Sequence, residues 1–258
     1  MRVEGATTLV TGATGGLGQA IARALAGRGA RLVVSGRRAE VLEPLAAETG
    51  ARAVVCDLAD PAEVERLVRE AGEVDVLVAN AGVQAGGRIG SFSVEALDEA
   101  LAVNLRAPMV LARRLLDGMV ARRRGHIVFI SSLAGKAASG GGSVYSATKF
   151  GLRGFGQGLR EDLRRYDVGV STVLPGFIRD AGMFHDSGAR LPPYVRTKTP
   201  EDVARAVIEA IERNRGEVEV APLPLRLGAT AASLLPETSA TVQRRLGAAR
   251  IASDITRR

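Results

Sequence analysis

The sequence predicts a single doubly wound α/β domain, in which a parallel sheet of about seven strands carries helices on both faces. Short apolar runs rich in β-branched residues alternate along the chain with longer stretches of helical period. A glycine-rich turn directly follows the first of these runs. No Gly/Ser-rich or Pro-rich linker divides the 258 residues, so one domain spanning 1–258 is expected, with an apolar fraction of 46% to fill its core.

The predicted strands are nearly continuous apolar runs, as expected for strands covered by helices on both faces. They lie at 7–10, 31–35, 53–56, 76–79, 126–130, 168–174 and 217–220. Between them, apolar residues recur at helical spacing. The predicted helices lie at 16–27, 39–49, 61–71, 94–103, 108–123, 143–166 and 200–214.

Two segments depart from this alternation. Residues 177–198 hold Gly182, Gly188, Pro192 and Pro193 among polar and aromatic residues and form a long insertion for a compact domain, which predicts a substrate lid. Its candidate wall and anion-binding residues are Met183, Phe184, Leu191, Tyr194, Arg179, His185 and Arg190. The C-terminal extension 221–258 mixes apolar and Arg residues at helical spacing and predicts a packing or oligomer helix, with peripheral membrane binding as the alternative.

Composition and charge narrow the class of function. The net charge is +7, but the tight basic run is Arg122-Arg123-Arg124, at a predicted helix end where cations favour the helix dipole, so no nucleic-acid partner is expected. Cys56 is the single cysteine, which excludes an internal disulfide and fits a reducing compartment. No signal-peptide pattern or run of eighteen apolar residues occurs, so a cytoplasmic protein without integral membrane association is expected. His126 and His185 lack ligand-spaced companions, so no metal is expected.

The glycine-rich turn predicts a phosphate cradle. It follows the first strand and opens the first helix, where free N–H groups and the helix dipole favour an anion. Glycines without side chains let the backbone approach a pyrophosphate closely. The predicted cofactor-binding residues of this turn are Gly12, Thr14, Gly15, Gly16, Leu17 and Gly18.

This spacing of Gly12, Gly16 and Gly18 resembles that of the short-chain dehydrogenases/reductases, a Rossmann-fold family. Further marks follow in the family's order over about 3–220, and they are Asp57, Asn80-Ala81-Gly82, Asn104, Ser132, Tyr145-x-x-x-Lys149 and Pro175-Gly176. The resemblance implies that Asp57, with Leu58, contacts adenine, that Asn80 to Gly82 hold the central sheet beside the cofactor, and that Pro175, Gly176 and Ile178 face the nicotinamide. Taken alone, Asp57 could equally be a helix cap or turn residue, as could Asp60.

The end of the second strand predicts a preference for NADP(H), with NAD(H) as the alternative. An acidic residue there would bind the ribose 2′-hydroxyl and repel a 2′-phosphate, but this chain has Ser35, Gly36, Arg37 and Arg38. Arg37 can make charge-assisted contacts with the 2′-phosphate, Ser35 can add another, and Arg38 can lie on the adenine face.

Tyr145 and Lys149 are four residues apart on a predicted helix and therefore share a face. A neighbouring cation stabilises a phenolate and lowers the pKa of a phenol from its usual ~10. Tyr145 can then exchange a proton with an alcohol or a developing alkoxide. Ser132 ends a strand at the edge where ligands bind, and strand alternation turns Ser131 the other way. The resemblance implies that Asn104 holds a water of the proton relay, although an amide among apolar neighbours also fits a purely structural role.

These residues predict an oxidoreductase that transfers hydride between nicotinamide and a carbonyl or secondary alcohol. A nucleotide-sensing protein without catalysis and an epimerase or dehydratase are the alternatives. One position departs from the family, since Asp180 stands where a Thr commonly meets the nicotinamide. Relatives pair the helices predicted at 108–123 and 143–166, so the resemblance implies a homodimer or homotetramer, and closely spaced glycines in the second helix fit a close helix approach.

Overall fold

The computed structural model describes residues 1–186, 188, 191 and 195–245. Within them the chain forms one seven-stranded, all-parallel sheet with the order β3-β2-β1-β4-β5-β6-β7. The strands are β1 Thr7–Thr11, β2 Arg31–Gly36, β3 Arg52–Val55, β4 Val76–Ala79, β5 Gly125–Ile130, β6 Val168–Pro175 and β7 Glu217–Val220. The predicted doubly wound α/β fold is confirmed, and the strand order reverses between β1 and β4, which opens a ligand crevice at their carboxyl ends.

The helices fill the connections between the strands. They are α1 Gly16–Ala26, α2 Ala39–Thr49, α3 Pro61–Ala71, α4 Val94–Leu101, α5 Ala107–Ala121, α6 Ser143–Leu163, α7 Met183–Asp186, α8 Pro200–Glu212, α9 Leu223–Leu234 and α10 Pro236–Arg245. Short 3₁₀ turns lie at Ile89–Ser91 and Leu133–Gly135, and a π-helical segment lies at Ala102–Arg106. None of the helices in the described part of the chain is long and apolar enough to cross a membrane.

Two apolar layers hold the helices against the sheet. Successive strand residues point to opposite faces, so Val10 packs toward α1, α2 and α8, while Leu9 packs toward α3, α5 and α6. β5 alternates in the same way, with Phe129 fully buried on the side of α6. Both faces are therefore covered, as parallel sheets require.

The predicted elements agree with the observed ones to within three residues at each end, but the prediction missed how α4 and α5 are joined. The two helices were expected at 94–103 and 108–123 as separate elements. Instead they run together through the π-helical segment, in which the Ala107 N–H bonds to the Ala102 carbonyl five residues back. Such a bulge leaves no mark in hydrophobic periodicity, and it carries Asn104.

The residues singled out for their charge have structural partners. His126 lies in β5, buried, with its Nε2 atom 2.8 Å from the Ser171 hydroxyl, and burial lowers its pKa to about 3. The three arginines of the basic run are ion-paired with Glu73, Asp167 and Asp75 respectively. The helical spacing expected in the C-terminal extension is confirmed by α9 and α10, while residues 246–258 lie outside the described part.

Candidate active site

The glycine turn between β1 and α1 has the shape of a cradle because, at two of its glycines, a side chain would collide with backbone atoms. Gly12 has a φ of +66°, and a Cβ there would lie 2.6 Å from the Ala81 Cα. A Cβ on Gly18 would overlap the Gly12 carbonyl oxygen and lie 2.8 Å from the Ala13 Cα. At Gly15 the nearest atom is 3.6 Å away, so that position is open.

The start of α1 at this turn is an electrostatic match for an anion. Its cap residue, Gly15, has no side chain that could bond to the free N–H groups of the helix, and the first turn holds no acidic residue. The partial positive charge of the helix N-terminus is therefore not balanced by a carboxylate of the helix itself. This chemistry fits the pyrophosphate of a dinucleotide.

The polar residues at the end of β2 point in different directions and have different partners. Arg38 donates from Nη2 to the Thr14 carbonyl at 2.6 Å, so it braces the glycine turn. Arg37 points away and pairs with Glu99 of α4, with Nη1 to Oε1 at 3.6 Å and both side chains about half exposed. The Ser35 hydroxyl is buried and hydrogen-bonds the Cys56 thiol, whose pKa burial raises to about 11.

Ser35 was expected to add a contact to a 2′-phosphate, and its side chain is buried at the end of β2. That contact stays a prediction. The Thr14 methyl group occupies the space beside Gly36, where a Cβ would lie 2.6 Å from Thr14 Cγ2.

The crevice wall opposite the turn is formed by Asn80-Ala81-Gly82. Asn80 donates from Nδ2 to the carbonyls of Thr11 and Gly12, at 3.0 and 3.2 Å, and so ties β4 to β1. The Thr11 hydroxyl accepts the backbone N–H groups of Asn80 and Ala81, each at 3.2 Å. Sequence reasoning missed Thr11, although a threonine ending a buried strand is a polar group that needs a partner.

Asp57 and Asp60, the two acidic residues after β3, make different contacts. Asp60 caps α3, accepting the Ala62 N–H at 2.8 Å. Asp57 accepts the Ala59 N–H at 3.0 Å and stays at the sheet edge beside the buried Leu58. The helix-cap alternative therefore applies to Asp60, and Asp57 makes the contact of a turn residue, while its contact with adenine stays a prediction.

Ser132, Tyr145 and Lys149 come together beside this crevice. Ser132 is hydrogen-bonded to Tyr145, accepts the Ala134 N–H at 3.1 Å and donates to the Pro175 carbonyl at 3.4 Å. The Lys149 ammonium lies 5.6 Å from the centre of the Tyr145 ring and donates to the Ile130 carbonyl at 3.0 Å. Ser131 points the other way, donating to the Lys149 carbonyl at 2.9 Å.

Burial controls the acidity of this cluster. It raises the pKa of Tyr145, with the hydrogen bond from Ser132 acting in the opposite direction, and it lowers the pKa of Lys149 to about 8. The direction for Tyr145 differs from the sequence expectation, because removal of the phenolate from water outweighs the hydrogen bond with Ser132. The phenol therefore holds its proton at neutral pH.

Asn104 is fully buried in the π-helical segment, where its amide is satisfied by one residue. It accepts the Val83 N–H at 2.7 Å and donates to the Val83 carbonyl at 3.0 Å. A Cβ on Gly82 would lie 3.2 Å from Asn104 Oδ1 and 3.8 Å from Lys149 Nζ. Asn104 therefore fixes the segment after β4 that borders the Tyr145 cluster.

The first part of the predicted lid reaches this site. Ala181 packs on Gly16, where a Cβ would overlap its side chain, and Met183 reaches over Gly82. Nothing in the sequence indicated Ala181, because its contact depends on the path of a loop. Asp180 has a φ of +68° and pairs with Arg179 at 3.2 Å. Phe184 packs on Phe177, and the expected residues Arg190 and Tyr194 lie outside the described part.

The stem of this segment is held by β6 and its neighbours. Gly176 donates to the Val220 carbonyl, and a Cβ there would lie 3.0 Å from the Ala221 Cβ. Ile178 is buried and forms a parallel bridge with Lys198. Pro175, Gly176 and Ile178 thus line one side of the crevice that holds Ser132.

The fold and the crevice at its switch point define a nucleotide-binding α/β protein. Residues 6–191 match the family model of the short chain dehydrogenases. The ketoacyl reductase HetN of a Nostoc species is 37% identical over 232 residues, covering 86% of this chain and 81% of the relative. The 3-oxoacyl-[acyl-carrier-protein] reductase FabG of Rickettsia conorii is 34% identical over 213 residues, covering 80% and 88%.

A solved structure described as the closed form of serine dehydrogenase complexed with NADP+ superposes with a TM-score of 0.77 at 32% identity, covering 84% of this chain and 95% of that one. The chain belongs to the short-chain dehydrogenase/reductase family. It is an oxidoreductase that uses a nicotinamide dinucleotide and acts on CH–OH or carbonyl groups.

Proposed function

We propose that the protein is an NADP(H)-dependent carbonyl reductase, or the reverse alcohol dehydrogenase, in which Tyr145 is the general acid and base. The observation that carries this proposal is the cluster of Ser132, Tyr145 and Lys149 beside the glycine cradle. A partly buried phenol that holds its proton at neutral pH suits proton donation to a substrate oxygen.

The residues of the crevice fit a dinucleotide. Gly12 to Gly18 would hold the pyrophosphate, Asp57 and Leu58 the adenine, Asn80 to Gly82 the neighbouring ribose, and Lys149 the nicotinamide ribose. When bound, the nicotinamide supplies or accepts the hydride. The protein's contribution is to bind and orient the substrate and to handle the proton.

Each member of the cluster has one task in this proposal. Ser132 hydrogen-bonds the substrate oxygen and keeps it next to Tyr145. Tyr145 gives its proton to that oxygen during reduction and takes it back during oxidation. The Lys149 ammonium stabilises the phenolate that remains, and Asn104 fixes the adjacent segment after β4 through Val83.

A screen of carbonyl compounds for NADPH oxidation tests the activity. The named activities of HetN and FabG support including 3-oxoacyl thioesters beside simple ketones, aldehydes and sugars. We expect turnover with at least one carbonyl class. Cofactor binding without turnover across the whole panel would instead favour a nucleotide-sensing protein.

The preference for NADP(H) rests on Arg37. Arg38 is engaged by the Thr14 carbonyl, whereas Arg37 is held by an exposed ion pair, which is worth only ~0.2–1 kcal/mol. A 2′-phosphate carries nearly two negative charges at neutral pH and can outcompete the single carboxylate of Glu99 for this guanidinium.

Arg37→Ala is expected to raise the dissociation constant of NADPH at least about tenfold, since a direct charge-assisted contact is worth ~1.5–3 kcal/mol. Its effect on NADH should be small. Glu99→Gln frees Arg37 and should tighten NADPH binding by up to about fivefold. Calorimetric titration with both cofactors measures these changes, and equal weakening of both by Arg37→Ala would contradict the assignment.

The proposed assembly is a homodimer or homotetramer built on α5 and α6. A Cβ added to Gly154 or Gly158 of α6 would point into open space, more than 4 Å from the neighbouring elements that the structure describes. Gly156 lies on the inner side, where a Cβ would meet Thr172 and Phe129. The outer glycines leave room for a second helix backbone, and Phe150 beside them is partly exposed.

Gly154→Leu is expected to shift the light-scattering mass toward monomer and to lower activity, because the side chain pushes the partner helix away from the helix that carries Tyr145. Gly154→Ala is the matched control, since it should strengthen the helix by ~1 kcal/mol and leave the mass unchanged. A wild-type protein that is monomeric and fully active would refute this role for α6.

A further inference from the structure

Lys136 is a buried lysine that the proposed reaction does not use. Its side chain is about one-tenth exposed, and its ammonium lies 2.5 Å from Glu219 Oε1, 3.4 Å from Glu217 Oε1 and 3.3 Å from Thr230 Oγ1. A buried ammonium is retained in a fold only where such partners compensate for its lost hydration.

Each glutamate has a second cation on its other side. Arg226 of α9 donates to Glu219 at 3.0 Å, and Arg153 of α6 donates to Glu217 at 2.6 Å. Both carboxylates of β7 therefore keep a partner if Lys136 is removed. The network does not need Lys136 for charge balance. Lys136 instead links β7 and α9 to the turn of the chain in which it lies.

That position is the end of the turn that begins at Ser132. The Gly135 N–H bonds to the Ser132 carbonyl and the Lys136 N–H to the Leu133 carbonyl, each at 2.9 Å. The turn is pressed against α6, because a Cβ on Gly135 would lie 2.7 Å from the Lys149 carbonyl oxygen. Ser132 and Lys136 are thus opposite ends of one short, tightly bonded unit, and displacing one end moves the other.

The helix α9 holds the same end of the turn by two bonds. Thr230 contacts the Lys136 ammonium, and the Ser233 hydroxyl donates to the Lys136 carbonyl at 2.8 Å. Helix α9, which is part of the C-terminal extension, is thereby bonded to Lys136. Lys136 lies four residues after Ser132, the residue beside Tyr145.

We propose that Lys136 is a positioning residue, through which α9 and β7 fix the turn that aims the Ser132 hydroxyl at the substrate oxygen. This inference rests on the proposed carbonyl reductase function. It assigns the C-terminal extension a part in the geometry of the reaction, rather than in binding the cofactor.

Two sets of variants test the proposal. Lys136→Met removes the ammonium at similar volume. Thr230→Val combined with Ser233→Ala removes the two hydrogen bonds between α9 and Lys136 and leaves the charges in place. Both should lower the turnover number for carbonyl reduction by about 10- to 10²-fold, the loss expected when a reacting group is displaced by about 1 Å. NADPH affinity should be unchanged. Arg205→Met, which cuts an exposed ion pair with Asp202 within α8 that does not touch the network, is the control and should keep full turnover.

Folded variants with normal turnover would overturn the proposal, and so would equal losses of turnover and NADPH affinity, which indicate general loosening. If Lys136→Met does not fold, the Thr230→Val and Ser233→Ala variant decides. Hydrogen exchange gives a readout that needs no substrate, because the amides of residues 134–137 should exchange faster in both variants and not in Arg205→Met. Exchange unchanged in both variants overturns the inference, whereas a wild-type protein that reduces no carbonyl overturns only the proposed function.

Discussion

Tyr145→Phe is expected to lower carbonyl turnover by about 10²–10⁴, the contribution typical of a positioned general acid or base. The substitution removes only the hydroxyl, which is hydrogen-bonded to Ser132, and leaves the ring that packs beside Lys149. The fold and the affinity for cofactor should therefore be retained. Turnover is measured by NADPH oxidation under saturating substrate, with calorimetry to confirm binding.

Tyr166→Phe is the matched control, because Tyr166 lies just beyond the end of α6. It packs in the apolar layer that contains Leu9, away from the cluster. It should keep wild-type turnover. A folded Tyr145→Phe protein with near-normal turnover would exclude the phenol as the proton donor. The raised pKa of Tyr145 also predicts that reduction declines with rising pH only well above neutrality, since the donor must first lose its proton.

Elements of the fold were predictable because their signals are local. The seven strands are apolar runs. The caps and the periodicity of helices such as Pro61–Ala71 depend on residues close together in the sequence. The opposite directions of Ser131 and Ser132 followed from strand alternation alone.

What the sequence could not predict depends on contacts between distant segments. The pair of Arg37 with Glu99 joins residues 62 positions apart, and no pattern in either neighbourhood indicates it. The contact of Ala181 with Gly16 depends on the path of the lid, and the bonds of Lys136 to β7 and α9 depend on the approach of the C-terminal extension. The pKa of Tyr145 also required the structure, because burial raises it, the hydrogen bond with Ser132 lowers it, and only their relative strength decides the direction.

Lys149→Met is expected to abolish both turnover and tight cofactor binding, an effect on turnover of at least about 10³ because two functions are lost together. The ammonium supports the phenolate of Tyr145 and, by the family resemblance, holds the nicotinamide ribose. Lys198→Met is the control, since Lys198 pairs with Asp202 near the start of α8 and not with the cluster.

The pH dependence of this variant separates an active ammonium from a merely structural lysine. Burial lowers the pKa of Lys149 from 10.5 to about 8, so between these values the unfolded chain binds a proton that the folded protein lacks. The free energy of unfolding of the wild type should therefore rise with pH across this window, by about 3 kcal/mol relative to Lys149→Met, and should show no such difference in slope below pH 8.

Cofactor binding has the opposite dependence on pH. An anionic dinucleotide favours the protonated lysine, so the dissociation constant of NADPH for the wild type should increase above pH 8 by up to about tenfold per unit, because each unit removes most of the remaining ammonium. In Lys149→Met this increase should be absent, although the affinity is low throughout. Chemical denaturation and calorimetric titration from pH 7 to 10 measure the two trends. Parallel profiles for the wild type and Lys149→Met would show that the buried ammonium does not titrate in this range and that another group governs cofactor binding.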